Sequence, residues 1–134
     1  MTVPSLLSVL ICDTVIVDAQ SQKKTLVGLF DIIAVSQVPF IQKVGFYAKL
    51  TDLEGTYTFG IRLVQLGEEE QVLAEGTAGP YEVDDRLTSI EIALNLPPVS
   101  VSEYGMYEFQ FFANDIYVGR AMMNVVKPES HVVS

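Results

Sequence analysis

The chain has no tryptophan, one cysteine and one histidine among its 134 residues. Each scarcity closes a class of chemistry. One cysteine excludes an internal disulfide. One cysteine and one histidine cannot supply the ligand cluster of a structural zinc site. A Cys–His nucleophile pair would need Cys12 and His131 together, yet Cys12 sits in the apolar run "LLSVLICD" and His131 in the terminal stretch "KPESHVVS". Cys12 is therefore expected to be a buried strand residue, and residues 128–134 to form a flexible tail. A glycine-rich phosphate loop followed by lysine is missing too. No catalytic residue, cofactor or metal-ligand set is expected.

Positive charge is the next scarcity. Eight Lys and Arg face 17 Asp and Glu, giving a net charge of −9 and a pI near 4.4. Such a chain repels phosphate backbones and anionic lipid, so nucleic acid is not expected as a partner. No apolar stretch reaches the roughly 18 residues of a membrane helix, so no membrane insertion is expected. The N-terminal "MTVPSLLSVLICDTVIVDAQ" lacks the positive start of a secretory signal, and Asp13 interrupts its apolar run. A reducing cytoplasm is the expected compartment. What is abundant is apolar: 49% of the residues are hydrophobic. Charge then keeps the protein dispersed while some apolar surface is left for a partner.

The hydrophobic pattern has period two and is broken by Gly, Pro, Asn and Asp at short intervals, which predicts an all-β chain. In "KVGFYAKLT" (43–51), Val44, Phe46, Ala48 and Leu50 share one face. Tyr57, Phe59, Ile61 and Leu63 repeat the pattern after the turn "DLEG", as do Ile90, Ile92, Leu94 and Leu96 in "TSIEIALNL". A short strand is expected near 71–77, and "LGEEEQ", "PYEVDDR" and "PPVSVSEYG" read as loops. "LLSVLIC" and "TLVGLFDIIAV" are nearly continuous apolar runs, so each is expected to be covered on both faces. With no repeat or internal linker, residues 1–127 read as one domain of eight or nine antiparallel strands, a β-sandwich.

The densest segment is "EYGMYEFQFF" (103–112). Tyr107, Phe109 and Phe111 alternate with Glu108, Gln110 and Phe112. Glu103, Gly105, Tyr107 and Phe109 resemble the tyrosine corner of immunoglobulin-like domains, in which a Tyr hydroxyl bonds back to upstream backbone. Phe109 stands where antibody domains place their second cysteine. In the hairpin that follows, a two-residue Asn114-Asp115 loop would set Arg120 opposite Phe109 and bury a cation. A loop of Asn114, Asp115 and Ile116 instead pairs Tyr107 with Met123, Phe109 with Ala121, Gln110 with Arg120 and Phe111 with Gly119. Face consistency favours the second register. Its outer face presents Phe112, Val118 and Met122 beside Arg120, and these four are the candidate interface.

The segments "ICD", "KKTLVGLFDII" and "YGMYEFQFFANDIYVGR" together resemble a family of small uncharacterised bacterial proteins with an immunoglobulin-like sandwich. The resemblance spans most of the chain and rests on turn and core residues. It implies a fold, and no catalytic residue. The expected function is a non-enzymatic interaction or structural module that self-associates or docks on a protein partner. The alternative is a calcium- or carbohydrate-binding sandwich, with Glu82, Asp84, Asp85, Asp52 and Glu54 as oxygen ligands. A small hydrolase using a carboxylate pair is a third reading.

Overall fold

The structure is a computed structural model that describes residues 4–128. Among these residues there is no helix. The strands are β1 (Ser5–Val17), β2 (Lys24–Leu29), β3 (Ile32–Ala34), β4 (Phe40–Gln42), β5 (Gly45–Thr51) and β6 (Gly55–Gln65). They continue with β7 (Gln71–Val83), β8 (Ile90–Asn95), β9 (Val99–Val101), β10 (Gly105–Ala113) and β11 (Ile116–Val126). The protein is thus all-β. Eleven strands replace the eight or nine expected, and three of them, β3, β4 and β9, are only three residues long.

One sheet has the order β2-β1-β5-β8 and a second β3-β11-β10-β6-β7, while β4 and β9 form a two-stranded ribbon. All pairings are antiparallel except β3 with β11. The two large sheets share one hydrophobic core. Phe46 of the first sheet meets Phe111 of the second with ring centroids 5.4 Å apart, and Phe111 stacks on Phe59 at 5.5 Å. The core side chains are those that the alternation marks: Val44, Phe46, Ala48 and Leu50 on β5, and Tyr57, Phe59, Ile61 and Leu63 on β6, are all buried. Burial of apolar area at roughly 25 cal/mol per Å2 is the main favourable term.

The C-terminal hairpin adopts the favoured register, with Tyr107 opposite Met123, Phe109 opposite Ala121, Gln110 opposite Arg120 and Phe111 opposite Gly119. The loop differs from expectation. Asn114 and Asp115 form a two-residue turn, both at positive φ (48° and 67°), and Ala113 pairs with Ile116. Positive φ at both central residues is the twist-matched hairpin turn. The register is recovered one step later by a bulge between Phe111 and Phe112, which leaves Val118 as the extra residue.

Three further expectations are corrected. The strand near 71–77 runs on to Val83, so "PYEV" is strand rather than loop. Its ladder to β6 carries it through Gly79 and Pro80. Val99–Val101, inside the third expected loop, is also a strand. The N-terminal apolar runs are not covered on both faces: Leu7, Leu10, Ile16, Val17, Val27, Leu29 and Ile32 are exposed. The cause is topological, since among the described residues β2 is an edge strand and the distal part of β1 pairs with no other strand.

Candidate functional site

The four candidate interface residues do not form one patch. Val118, as the bulge residue, packs against the core cluster instead of joining an outer face. Phe112 is half-buried on the other side. The Arg62 guanidinium lies 4.9 Å from its ring centroid, and Tyr117 meets its edge at 5.8 Å. Arg62 is also 3.4 Å from Glu75 on β7. Beside them Glu108, only 8% exposed, accepts a 3.0 Å hydrogen bond from Gln110 and lies 3.3 Å from the Arg120 guanidinium. That outer face is therefore knit by side chains of its own sheet.

Arg120 and Met122 belong to a different site. They line a cleft of about 480 Å3 together with Leu10, Leu29, Phe30 and Asp31, where β11 meets β1 and the end of β2. The cleft exists because β1 lies next to β11 across the open side of the two sheets, and Gly119 gives the approach. A Cβ at Gly119 would fall 2.3 Å from Leu6 Cδ2, so a larger residue there would push the Leu6 side chain aside. Sequence reasoning found Arg120 and Met122 but missed Leu10 and Leu29 as their neighbours. The unbroken apolar runs were the available signal.

On β1 and β2, Leu10 and Ile16 stand on the side of the ladder that also carries Val27 and Leu29, given the pairings Cys12–Leu29 and Thr14–Val27. This makes an apolar stripe running from the cleft out along the hairpin. The hairpin is tied down at its base. Asn95 on β8 accepts from Val15 N–H at 2.8 Å and donates to Val15 C=O at 2.9 Å, acting as a side-chain strand partner. Lys24 pairs with Glu91 at 3.0 Å, and Tyr47 donates to the other Glu91 oxygen. The Tyr47 bond and then Lys24 hold the Glu91 carboxyl below the usual carboxylate range. Burial, then Glu91, pushes the Tyr47 phenol up to about 12.

The Tyr107 hydroxyl donates to Glu103 C=O at 2.7 Å, the bond expected of a tyrosine corner. Tyr57 makes a similar contact, its hydroxyl donating to Glu54 C=O at 3.2 Å. Cys12 is fully buried, and burial pushes its thiol up, away from the thiolate a nucleophile requires. His131 lies outside the described residues. The acidic turns meet through an Asp52 N–H to Arg86 C=O bond at 3.1 Å, and Asp85 caps Leu87 N–H at 2.9 Å. No group of three His, Cys, Asp or Glu side chains converges among the described residues. No helix among them is long and apolar enough to cross a membrane.

These features describe an all-β domain with apolar side chains exposed along β1 and β2. Its sequence belongs to a family described as "Family of unknown function (DUF6941)", whose model matches residues 7–126. A search of curated proteins found no match.

Proposed function

We propose that this protein is a non-enzymatic interaction module, an immunoglobulin-like β-sandwich that works in the cytoplasm and associates with a second copy of itself through its N-terminal strands. The observation that carries the reading is the apolar stripe of β1 and β2, with Leu29 58% and Ile16 53% exposed, beside the Arg120–Met122 cleft. Apolar surface of this kind marks association sites.

A second copy fits because this half of the molecule is close to neutral. Residues 1–51 hold four basic and three acidic side chains, whereas residues 52–86 hold two basic and nine acidic. Two chains of net charge −9 repel least when they meet through the balanced half. A two-fold contact using the stripe twice satisfies the symmetry of most dimers. The sandwich reading draws on strand order. β1-β5-β8 follows the A-B-E order of immunoglobulin sheets, and β11-β10-β6-β7 follows G-F-C-C′. The tyrosine corner supports it as well, and the lone cysteine suits a reducing compartment.

Sedimentation equilibrium at tens of micromolar tests the function. A dimer is expected, and Leu29→Glu with Ile16→Glu should return it to monomer without changing the far-UV spectrum. A monomeric wild type would sink the self-association reading.

A further inference from the structure

We propose that the groove between β7 and the β8–β9 segment accepts an extended stretch of a partner protein in which apolar side chains alternate with lysine or arginine. This rests on the interaction-module reading but uses a different surface. The groove encloses about 490 Å3. Its floor is Ile61, Leu63 and Phe109 from the core side of the second sheet, and Leu94, Leu96 and Val99 form the far wall.

The groove is open because β7 presents small residues to it. Ala74 pairs with Leu63, Gly76 with Ile61 and Ala78 with Phe59, so these three share the face that looks toward the core. A Cβ at Gly76 would meet nothing within 4 Å, and Gly76 is not among the residues at positive φ. Neither local packing nor backbone conformation therefore requires glycine there. Space that a core would normally fill is left empty.

Among the described residues, neither wall has a further strand beyond its edge. β7 is the last strand of one large sheet and β8 the last of the other. The β6–β7 ladder is regular from Ala74 to Ala78 and irregular on either side of that stretch. The outer edge of these five residues is thus a straight row of backbone donors and acceptors, which recruits a further strand unless it is blocked. In an immunoglobulin-like sandwich a D strand lies beside strand E on this side. Here the chain passes from β7 to β8 through residues 84–89 alone. An added strand would hydrogen-bond to the β7 edge and place alternate side chains in the groove, the mode of donor-strand and PDZ-type recognition.

Charge selects the occupant. Residues 52–86 carry net −7 of the chain's −9. Glu68, Glu69 and Glu70 fill the turn into β7, and Glu75 stands on it. A second copy of so acidic a chain is repelled from this edge, whereas a segment with Lys or Arg at every second position is attracted. Its other positions need apolar side chains to match the floor.

The test uses the full chain and a synthetic heptapeptide alternating valine and lysine, with a valine–glutamate peptide of equal length for comparison. Amide chemical shifts and calorimetry are read together. The valine–lysine peptide should shift the amides of Ala74–Ala78, and raising salt from about 50 to about 300 mM should weaken it several-fold by screening. The valine–glutamate peptide should not bind. Ala74→Leu with Gly76→Val fills the groove and should cut affinity at least about tenfold with no loss of thermal midpoint. Should that variant misfold, Glu68→Lys with Glu69→Lys and Glu70→Lys, all in an exposed turn, should weaken the same peptide while the fold is kept. Equal binding of both peptides, or binding unmoved by both variants, overturns the proposal, as do shifts confined to β1 and β2. If no peptide binds and the chain still dimerises through Leu29 and Ile16, the groove proposal falls alone.

Discussion

The hairpins β1–β2 and β10–β11 draw on similar apolar residues and meet opposite fates. Tyr107, Phe109 and Phe111 on β10 are essentially inaccessible, and Ala121, Met123 and Val125 on β11 are buried opposite them or nearby. On β2, Val27 and Leu29 face solvent. β10 is flanked on both sides, by β6 and β11, and has the first sheet above it, whereas β2 has a single neighbour. Hydrophobicity alone does not place a strand in the core. Alternation does, because a strand with one polar face tells the chain which side to bury. β1 and β2 carry apolar residues on both faces and leave one uncovered, which is why the proposed contact surface lies there.

Truncation separates the two hairpins most strongly. Phe111→Ala should cost about 3–5 kcal/mol, as for other large aromatic truncations in a core. Leu29→Ala should change stability by no more than about 0.5 kcal/mol in the monomer. Chemical denaturation of both variants at low protein concentration reads the difference. Similar costs would mean that β2 is buried in the monomer, and the contrast would be void.

The turn and the bulge come next. Asn114 sits at φ 48°, its side chain accepting from Thr58 N–H at 2.9 Å and donating to Thr56 C=O at 3.0 Å. Asn114→Ala should cost about 1–2 kcal/mol, since alanine resists the left-handed region and breaks both bonds to β6. Deleting Val118 is informative for register. Without the bulge a two-residue turn still sets Arg120 opposite Gln110, so the hairpin should fold and lose about 1–2 kcal/mol for a half-buried valine. Collapse of the fold on this deletion would show that the bulge itself positions the strand. Tyr107→Phe, which removes the bond to Glu103, should cost about 1 kcal/mol.

Register and core were legible in the sequence where a charge or an alternation constrained them. The cost of burying Arg120 was enough to pair Gln110 with Arg120 and Phe109 with Ala121. The means was not legible. Asn114-Asp115 fits a positive-φ turn, but nothing local marks Val118 as a bulge; it is placed by the core beneath it. β7 shows the opposite failure. The short strand expected near 71–77 is present, but nothing local in "AGPYEV" marks its continuation to Val83, which comes from the ladder that β6 offers across the turn. The groove was invisible for a related reason. Its walls are brought together by two crossovers between sheets, and its emptiness depends on Ala74, Gly76 and Ala78 facing the same way. The cleft beside Arg120 likewise needs Leu29 to arrive from 91 positions away.

The smallest expected effect concerns how β2 is held. Lys24 on β2 pairs with Glu91 on β8, and Tyr47 on β5 shares that carboxylate. Glu91 titrates below its ordinary value of 4.5, held there by the Tyr47 bond first and Lys24 second. Its contribution to stability is therefore full above the ordinary carboxylate range and is lost as pH falls through the depressed folded value. Tyr47 has the opposite sign. Its phenol is raised from 10.0 to about 12, so its contribution is full below pH 10 and is lost as pH rises toward 12. Between these limits both contacts are intact. Glu91→Gln should lower the Tyr47 midpoint, read as the 295 nm difference from Tyr47→Phe, yet leave it above 10 because burial is the larger cause. On the acid side, protonating Glu91 frees Lys24. Hydrogen exchange, corrected for its intrinsic pH dependence, should then quicken at Lys24–Leu29 before it changes in β10. Equal change in both strands would show that the ion pair does not hold β2, which is then held through its ladder to β1, where Asn95 bonds both backbone groups of Val15.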